Sequence, residues 1–329
     1  MRFFTPLAEP TLTPFTATFT VEKYLHGSRV DTFLERHLRN YTIWRMQRMV
    51  SAGCVRVQDV VVSLDRRVFG GERVTIRLIE PPDKIHGAEP MPLSIVFEDP
   101  WLVVVDKPAN LVVHPVASLQ TGTLANGLQA HLDSQTPVAG VLRPGIVHRL
   151  DRMTSGLIVT TKDHLAHRML GMDFEQRRVR KAYTAVVHGV INDDEGTIDL
   201  PMGRRHGSIL MSVEPGMRNM KPAVTNYKVT QRLPDRTVVE VRPVTGRIHQ
   251  IRVHFAAIGH PLVGDEFYGF DGPVSARPGD SRHALHASFL SLTHPVLGEA
   301  MEFHSSLPPD LEVLLSQKNL PLPTPEATT

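Results

Sequence analysis

Apolar residues in the first quarter of the chain recur first at helical and then at strand spacing. The pattern predicts one helix that begins at Asp31 and a second that begins near Thr42, a good N-cap residue, with Gly53 as its stop. Three short strands are predicted to follow, at Val55–Val57, Val60–Leu64 and Val74–Ile79. Residues 21–80 are therefore predicted to form a small α/β module.

The segments that flank this module are rich in proline or polar residues. Residues 1–20 are predicted to be a flexible arm, and residues 81–92, with four prolines, a linker. At the other end, residues 316–329 are predicted to be a flexible tail. One large domain, residues 93–315, lies between the linker and the tail.

Strand-like runs dominate the large domain, and two helical stretches lie between them, at residues 163–175 and 247–257. The predicted strands are Leu93–Phe97, Leu102–Val105, Leu157–Thr161, Tyr183–Val187, Val224–Gln231, Val238–Val241 and Phe289–Leu292. Irregularly spaced strands with few helices predict an α+β fold, in which a mixed, largely antiparallel sheet follows the small α/β module.

Composition narrows the classes of protein that fit. A net charge of +2 is too small to indicate nucleic-acid binding by itself, although arginine is clustered in short segments. The single cysteine, Cys54, excludes an intrachain disulfide and fits a reducing compartment, so we expect a cytoplasmic location. The chain lacks a leader-like start and an apolar run of about 18 residues, so we expect no membrane association.

One run of residues, 145–162, carries the most chemical information. It places a single carboxylate, Asp151, in a turn crowded with polar and basic groups, directly before an apolar strand. A loop residue held by a rigid strand is a usual place for chemistry. The run closely resembles the catalytic motif of the RluA-type pseudouridine synthases, which isomerise uridine within RNA. Three more segments resemble that family in the same order, at residues 106–115, 181–189 and 245–269.

The resemblance implies a reaction that needs no metal, redox change or other cofactor. Pseudouridine formation breaks a C–N glycosidic bond, turns the uracil and rejoins it through carbon-5. By resemblance, Asp151 engages the sugar, either as a nucleophile or by removing the 2′ proton, and both routes remain open. Arg247 is assigned as the ion-pair partner that keeps Asp151 charged and oriented. Tyr183 is assigned to stack on the uracil, and its oxygen is a candidate base for the carbon-5 proton.

The same resemblance assigns residues to the substrate. A stacked uridine must be flipped out before its anomeric carbon is reachable, at a cost of roughly a few kcal/mol. Arg149 is assigned to fill the vacated stack, and His148 to contact the RNA backbone. Ile251 is assigned to the apolar wall of the uracil pocket. Thr154 completes the predicted substrate-binding set.

Further RNA contacts are predicted from two arginine-rich regions. Residues 21–80 resemble the small RNA-binding domain first seen in a small-subunit ribosomal protein, although Gln58-Asp59 stands where that family usually has an Asn-Gly turn. Phosphate contacts supply affinity rather than sequence recognition. The predicted RNA-binding residues are Arg29, Arg45, Arg48 and Arg56 in the module and Arg177, Arg178, Arg180 and Lys181 before Tyr183.

Other kinds of site explain these residues less well. The spacing of His249, His254 and His260 does not place them on one helical face with acidic or thiol ligands, so no metal site is predicted. A standard glycoside hydrolase uses two carboxylates, whereas the Asp151 motif offers one, and Asp265 is better explained as a turn residue.

The sequence therefore predicts an RNA pseudouridine synthase that acts on ribosomal RNA, most readily that of the large subunit. We expect RNA as the partner, no cofactor, and a monomer. A transfer-RNA substrate, a non-catalytic RNA-binding role and a nucleoside or glycoside hydrolase are the alternatives.

Overall fold

The structure of the protein, a computed structural model, describes residues 16–38, 43–51, 53–77, 87–116, 119–135, 144–162, 164–269 and 282–316. Packing divides the chain into two compact units. Unit 1 comprises residues 1–92, 114–146 and 160–167, and unit 2 comprises residues 93–113, 147–159 and 168–329. Among the described residues, no helix is both long and apolar enough to cross a membrane.

The first part of unit 1 is a small α/β module. Its elements are β1 (Thr16–Thr20), a 3-10 helix (Lys23–Leu25), β2 (Ser28–Arg29), α1 (Val30–His37), α2 (Ile43–Ser51), β3 (Val55–Val57), β4 (Val60–Val61), β5 (Arg67–Val68) and β6 (Arg73–Arg77). A sheet in the order β1-β6-β3-β4 is antiparallel, and β2 pairs with β5. Alternate residues of β3 and β6 are buried with Phe33 and Leu34 of α1 in one apolar core.

Strand β1 corrects part of the predicted arm at residues 1–20. Thr16–Thr20 pairs along its whole length with β6, and Phe19 packs against the core of the module. Three of its five residues are threonine, whose branched side chains suit a strand. Residues 1–15 lie outside the described part of the chain.

The remaining elements of unit 1 include a helix that the apolar pattern did not predict, α3 (Leu124–Asp133). Thr123 and Asn126 begin this helix with a capping box. Asn126 Nδ2 also donates to the Gly87 carbonyl at 2.7 Å, and the Glu89 amide donates to the Asn126 carbonyl at 3.1 Å. The described half of the predicted linker is therefore hydrogen-bonded to α3, and residues 81–86 lie outside the description.

Unit 2 is built on a long sheet. Two strands of this sheet, β7 (Ile95–Glu98) and β8 (Leu102–Lys107), precede α3 in the chain. The elements that follow α3 are β9 (Gly145–Ile146), β10 (Ser155–Thr161), α4 (His164–Glu175), β11 (Arg180–His188), β12 (Glu195–Asp199), β13 (Met202–Arg204), β14 (Met211–Ser212), β15 (Arg218–Lys221), β16 (Val224–Leu233), β17 (Arg236–Pro243), α5 (Gln250–Ala257), β18 (Leu285–Thr293), β19 (Ala300–His304) and α6 (Pro309–Ser316). The last two residues of β10 belong to unit 1, where they pair with β9.

The strand order of the long sheet is β12-β16-β17-β11-β18-β10-β8-β7, and β19 pairs with β18. Neighbours such as β11 and β17 or β16 and β17 are antiparallel, whereas β10 and β18 are parallel. Strands β14, β13 and β15 form a separate three-stranded sheet in that order. The α+β fold with a largely antiparallel sheet is thus confirmed.

The parallel pairing of β10 and β18 depends on Gly156. This residue lies opposite Ala287 and has a φ of +109°, which L side chains rarely adopt. A Cβ at Gly156 would lie 2.6 Å from the Ala287 nitrogen and closer still to its carbonyl oxygen. Glycine therefore lets the strand that follows Asp151 approach β18 closely.

Candidate active site

Asp151 lies in a turn directly before β10, and a buried lysine supports this turn. The Thr154 amide donates to the Asp151 carbonyl at 3.1 Å. Lys107 Nζ donates to the carbonyls of Pro108, Leu111 and Arg152 at 2.8, 3.0 and 3.2 Å. Burial lowers the pKa of Lys107 to about 7. One side chain at the end of β8 thus connects the 108–111 loop to the turn that carries Asp151.

The carboxylate of Asp151 is paired with Arg252 of α5. Arg252 Nη1 donates to Asp151 Oδ2 at 3.2 Å, and Arg252 Nε and Nη2 donate to the two oxygens of Asp265 at 2.7 and 2.8 Å. Burial lowers the pKa of Arg252, but its bonds to Asp265 and the charges of both carboxylates outweigh this and raise it. Burial likewise raises the pKa of Asp265, but Arg252 outweighs this and lowers it. Arg252 and Asp265 therefore both stay charged.

This arrangement corrects the predicted pairing of Asp151 with Arg247. Arg247 Nε donates to the Pro222 carbonyl at 3.1 Å, and its amide donates to Gln250 Oε1 at 3.0 Å. The predicted helix at residues 247–257 begins three residues later, at Gln250, because His249 has a φ of 56°. Arg247 therefore belongs to the preceding loop, and Arg252, which sequence analysis missed, is the arginine that α5 directs to Asp151.

Aromatic and imidazole rings complete the surroundings of the Asp151–Arg252 pair. His249 Nε2 lies 3.9 Å from Asp151 Oδ2, and His249 Nδ1 shares a hydrogen bond with Tyr268 Oη at 2.8 Å. Burial lowers the pKa of His249. The Arg252 guanidinium lies 5.5 Å from the ring centre of Phe267 and 5.1 Å from that of Tyr268. Cation–π contacts thus add to the bonds that hold Arg252 in place.

Tyr183 and Ile251, the predicted uracil-binding pair, are both buried in unit 2. Tyr183 is in β11 and is 8% exposed, and Ile251 is in the first turn of α5 and is 6% exposed. Burial raises the pKa of the Tyr183 phenol, and the negative charge of Asp151 raises it further. The phenol is therefore neutral and lies within electrostatic range of Asp151.

The structure does not favour the predicted substrate contacts of His148 and Thr154. His148 Nε2 accepts a hydrogen bond from the Val159 amide at 3.0 Å, and its ring stacks on Phe174. Burial lowers the pKa of His148 to about 3, and the charge of Lys181 contributes. Thr154 is 1% exposed and shares a hydrogen bond with His283 Nε2 at 2.8 Å. Both side chains are therefore engaged by neighbouring residues of unit 2, whereas Arg149 is exposed.

The predicted RNA-binding arginines before Tyr183 differ in how they are paired. Arg177 is exposed, with a φ of 57°. Arg178 pairs with Asp173 at 2.8 Å, and Arg180 pairs with Glu302 at 2.9 Å. Lys181 Nζ lies 5.5 Å from the ring centre of Phe174. Much of this cationic cluster is therefore already engaged within unit 2.

The predicted RNA-binding residues of the module are likewise partly engaged. Arg29 makes two hydrogen bonds to Asp31, at 3.1 and 3.0 Å. Arg56 Nη1 donates to the Asp59 carbonyl at 3.2 Å. The side chains of Arg45 and Arg48 lie outside the described part of the structure. The RNA-binding role of all four remains a prediction.

Comparison with known proteins identifies the family of this chain. The sequence profile described as RNA pseudouridylate synthase matches residues 101–257. An uncharacterized RNA pseudouridine synthase, YlyB, of Bacillus subtilis (strain 168) is 41% identical over 297 residues, which cover 90% of this chain and 96% of that protein. The chain belongs to the RNA pseudouridine synthase family.

Other members of the pseudouridine synthase family are similar in sequence or structure. Ribosomal large subunit pseudouridine synthase D of Nitrosomonas europaea is 39% identical over 314 residues, 93% of this chain and 89% of that protein. The solved structure of human RNA Pseudouridylate Synthase Domain Containing 1 matches with a TM-score of 0.55 and 32% identity, covering 68% of this chain and 89% of that one. This pseudouridine synthase is therefore an isomerase that acts on RNA.

Proposed function

We propose that this pseudouridine synthase modifies uridines of large-subunit ribosomal RNA and that Asp151 is its catalytic carboxylate. The observation that carries the proposal is the position of Asp151, which is bonded to a buried arginine and lies within electrostatic range of a buried tyrosine. Relatives from Nitrosomonas europaea and Haemophilus influenzae that are 39% identical are named ribosomal large subunit pseudouridine synthase D. Their names support the choice of RNA.

Asp151 has the properties that cleavage of the glycosidic bond requires. A carboxylate must be ionised both to attack the anomeric carbon and to remove the 2′ proton. Arg252 donates one hydrogen bond to Asp151, and this bond orients the carboxylate. The side chain of Asp151 remains 21% exposed, so a sugar can reach it.

Tyr183 and Ile251 then hold the detached uracil while it turns. The aromatic face of Tyr183 stacks on the base, and Ile251 provides an apolar wall. When carbon-5 has joined the sugar, its proton must leave. Burial keeps Tyr183 a neutral phenol in the free enzyme, so its oxygen takes up that proton as its own hydroxyl proton is released to solvent.

Flipping of the target uridine leaves a gap in the RNA stack. Arg149 is exposed and lies two residues before Asp151, so its planar guanidinium is available to fill that gap. Unpairing and unstacking cost roughly a few kcal/mol, and a stacked guanidinium offsets part of that cost.

The test is tritium release from RNA that carries 5-tritiated uridine, with unmodified ribosomal RNA and transfer RNA as parallel substrates. We expect the wild type to release tritium from the large-subunit RNA and Asp151→Asn to release none above background. Asp194→Asn is the matched control, because Asp194 is 85% exposed and pairs with Arg232. Tritium release from transfer RNA alone would overturn the proposed ribosomal RNA substrate. Full activity of Asp151→Asn would overturn the proposal that Asp151 is the catalytic carboxylate.

A further inference from the structure

The three-stranded sheet of unit 2 carries a concentration of positive charge that the proposed mechanism does not use. Residues 201–222, which include β13, β14 and β15, contain one acidic residue, Glu214, and several basic ones. The exposed cations are Arg204, Arg205, Arg218 and Lys221. This stretch is therefore clearly cationic within a chain whose net charge is only +2.

Two of these cations are direct cross-strand partners. Arg204 of β13 lies opposite Arg218 of β15 in the antiparallel register. Like charges directly opposite each other destabilise a sheet. No salt bridge of either arginine to an acidic side chain occurs within the described ranges of the chain. Within the described residues no acidic side chain therefore offsets the repulsion between these exposed arginines, and an anion would relieve it.

Hydrogen bonds connect this sheet to the residues around Asp151. The Met211 amide of β14 donates to Tyr268 Oη at 3.0 Å, and Tyr268 in turn bonds His249 beside Asp151. Directly after β15, the Pro222 carbonyl accepts a hydrogen bond from Arg247. The sheet also packs against α5, because Met202 and Val253 share one apolar cluster with Tyr268. The Arg204–Arg218 pair is therefore fixed to the framework of the active site.

We propose that Arg204 and Arg218 together bind a backbone phosphate of the substrate RNA strand close to the uridine that Asp151 engages. The proposal rests on the proposed function only in that the ligand is the RNA being modified. Two guanidinium groups can each present a fork of N–H donors to phosphate oxygens, and the phosphate cancels their mutual repulsion. Such a contact positions the strand and carries no sequence information.

The experiment compares Arg204→Gln, Arg218→Gln and the double variant with the wild type in the full-length protein. Arg242→Gln is the matched control, because Arg242 is also an exposed strand arginine of unit 2 but is paired with Glu240. The measurements are the Kd for a fluorescent fragment of large-subunit RNA across a salt series, and the thermal unfolding of the free proteins.

We expect the double variant to bind the RNA roughly tenfold or more weakly than the wild type, with a salt slope of log K that is shallower by about 1. Arg242→Gln should change the Kd by no more than about twofold and should leave the salt slope close to that of the wild type. Without RNA, each single variant should unfold at the same or a higher temperature, because the repulsion is gone. Binding and a salt slope like those of the control, or a lower unfolding temperature, would overturn the proposal.

Tritium release by the wild type, measured on the same RNA, separates the two proposals. If the wild type releases none but the double variant still loses affinity and salt dependence, the phosphate site holds and the proposed substrate is wrong. If release is normal and the double variant binds like Arg242→Gln, the proposed substrate holds and the phosphate site is wrong.

Discussion

Arg252 lies between two carboxylates of unequal exposure, Asp151 and Asp265. It makes two hydrogen bonds to Asp265, whose side chain is fully buried, and one to Asp151, whose side chain is 21% exposed. Asp265 therefore fixes the guanidinium, and the guanidinium orients Asp151, which keeps an open face for substrate. Substitutions of the three residues should therefore have different effects.

Substitution of Arg252 should reduce both activity and stability. Arg252→Gln leaves Asp265 buried without its charge partner, which should lower the free energy of unfolding by about 3–5 kcal/mol. Arg252→Lys keeps the charge but not the fork, so we expect a smaller loss of stability together with a fall of roughly 10²-fold in kcat. Urea denaturation and tritium release measure the two effects. Near wild-type kcat in a folded Arg252→Lys variant would contradict this account.

Tyr183→Phe should separate stacking on the uracil from proton transfer. The ring and its stacking remain, so RNA affinity should change by no more than a few-fold. Loss of the oxygen should slow tritium release by roughly 10²-fold or more, the usual size of a general acid–base contribution. Tyr183→Leu is the comparison, since it should weaken binding as well. Equal release by Tyr183→Phe and the wild type would remove the phenol from the mechanism.

The motifs single out Asp151 and Tyr183 because each is marked by its immediate neighbours in sequence. Local sequence also explains Asn110, because asparagine tolerates a positive φ better than most residues and the φ of Asn110 is 63°. Gln58 and Asp59 likewise adopt φ values of 50° and 66° at the turn where the related family usually has Asn-Gly. Backbone conformations set by one or two residues were therefore accessible from the sequence.

The partner of Asp151 was not accessible in the same way. Arg247 and Arg252 lie five residues apart in one motif, and the start of α5 decides which of them reaches the carboxylate. That start depends on the left-handed conformation of His249, which no apolar pattern reports. Thr154 and His148 show the same limit, because their partners His283 and Val159 are set by how β10 packs.

Acid should destabilise the protein partly through His283. Burial lowers the pKa of His283 to about 3, whereas an exposed histidine in the unfolded chain titrates near 6.5. Between about pH 6.5 and pH 3 the unfolded state therefore binds a proton that the folded state does not, so stability falls as the pH falls. Each pH unit well inside this window costs about 1.4 kcal/mol for this one residue.

His283→Gln should therefore reduce the slope of the unfolding free energy against pH between about pH 6 and pH 4. The reduction should correspond to close to one proton fewer taken up on unfolding. His148 has a similarly lowered pKa, so part of the dependence should remain in the variant. Exposed His206 provides the control, and His206→Gln should leave the slope unchanged. Urea titrations at several pH values measure the free energy of unfolding. Equal slopes of this free energy against pH for the wild type and His283→Gln would refute the prediction.

Gly156→Ala should destabilise unit 2 strongly. The new Cβ would collide with backbone atoms of Ala287, which cannot rotate away, and the φ of +109° adds strain of about 1–3 kcal/mol. Gly171 in α4 is the matched control, since a Cβ there meets nothing within 4 Å. Gly171→Ala should instead stabilise by roughly 0.5–1 kcal/mol. Denaturant midpoints that shift in the same direction for both variants would contradict the structural argument.

Arg282 should act as a positioning residue for the Asp151 turn. It is 6% exposed, and its guanidinium donates to the Met153 carbonyl at 3.0 Å, to Ser155 Oγ at 2.9 Å and to Asp310 Oδ2 at 2.8 Å. The turn is thereby connected to α6, across a sequence separation that no local motif reveals. Because Arg282 holds the turn after Asp151, its loss should displace the Asp151 carboxylate and so affect the chemical step more than RNA binding.

We therefore expect Arg282→Lys to lower kcat by roughly tenfold while KM stays within about twofold, because a lysine cannot satisfy these acceptors together. Asp310→Asn should have a smaller effect, since the Asp310 side chain is 41% exposed and the amide oxygen of asparagine can still accept a hydrogen bond from Arg282. Steady-state tritium release over a range of RNA concentrations separates kcat from KM. A rise in KM at constant kcat for Arg282→Lys would show that Arg282 supports RNA binding and not the geometry of the turn.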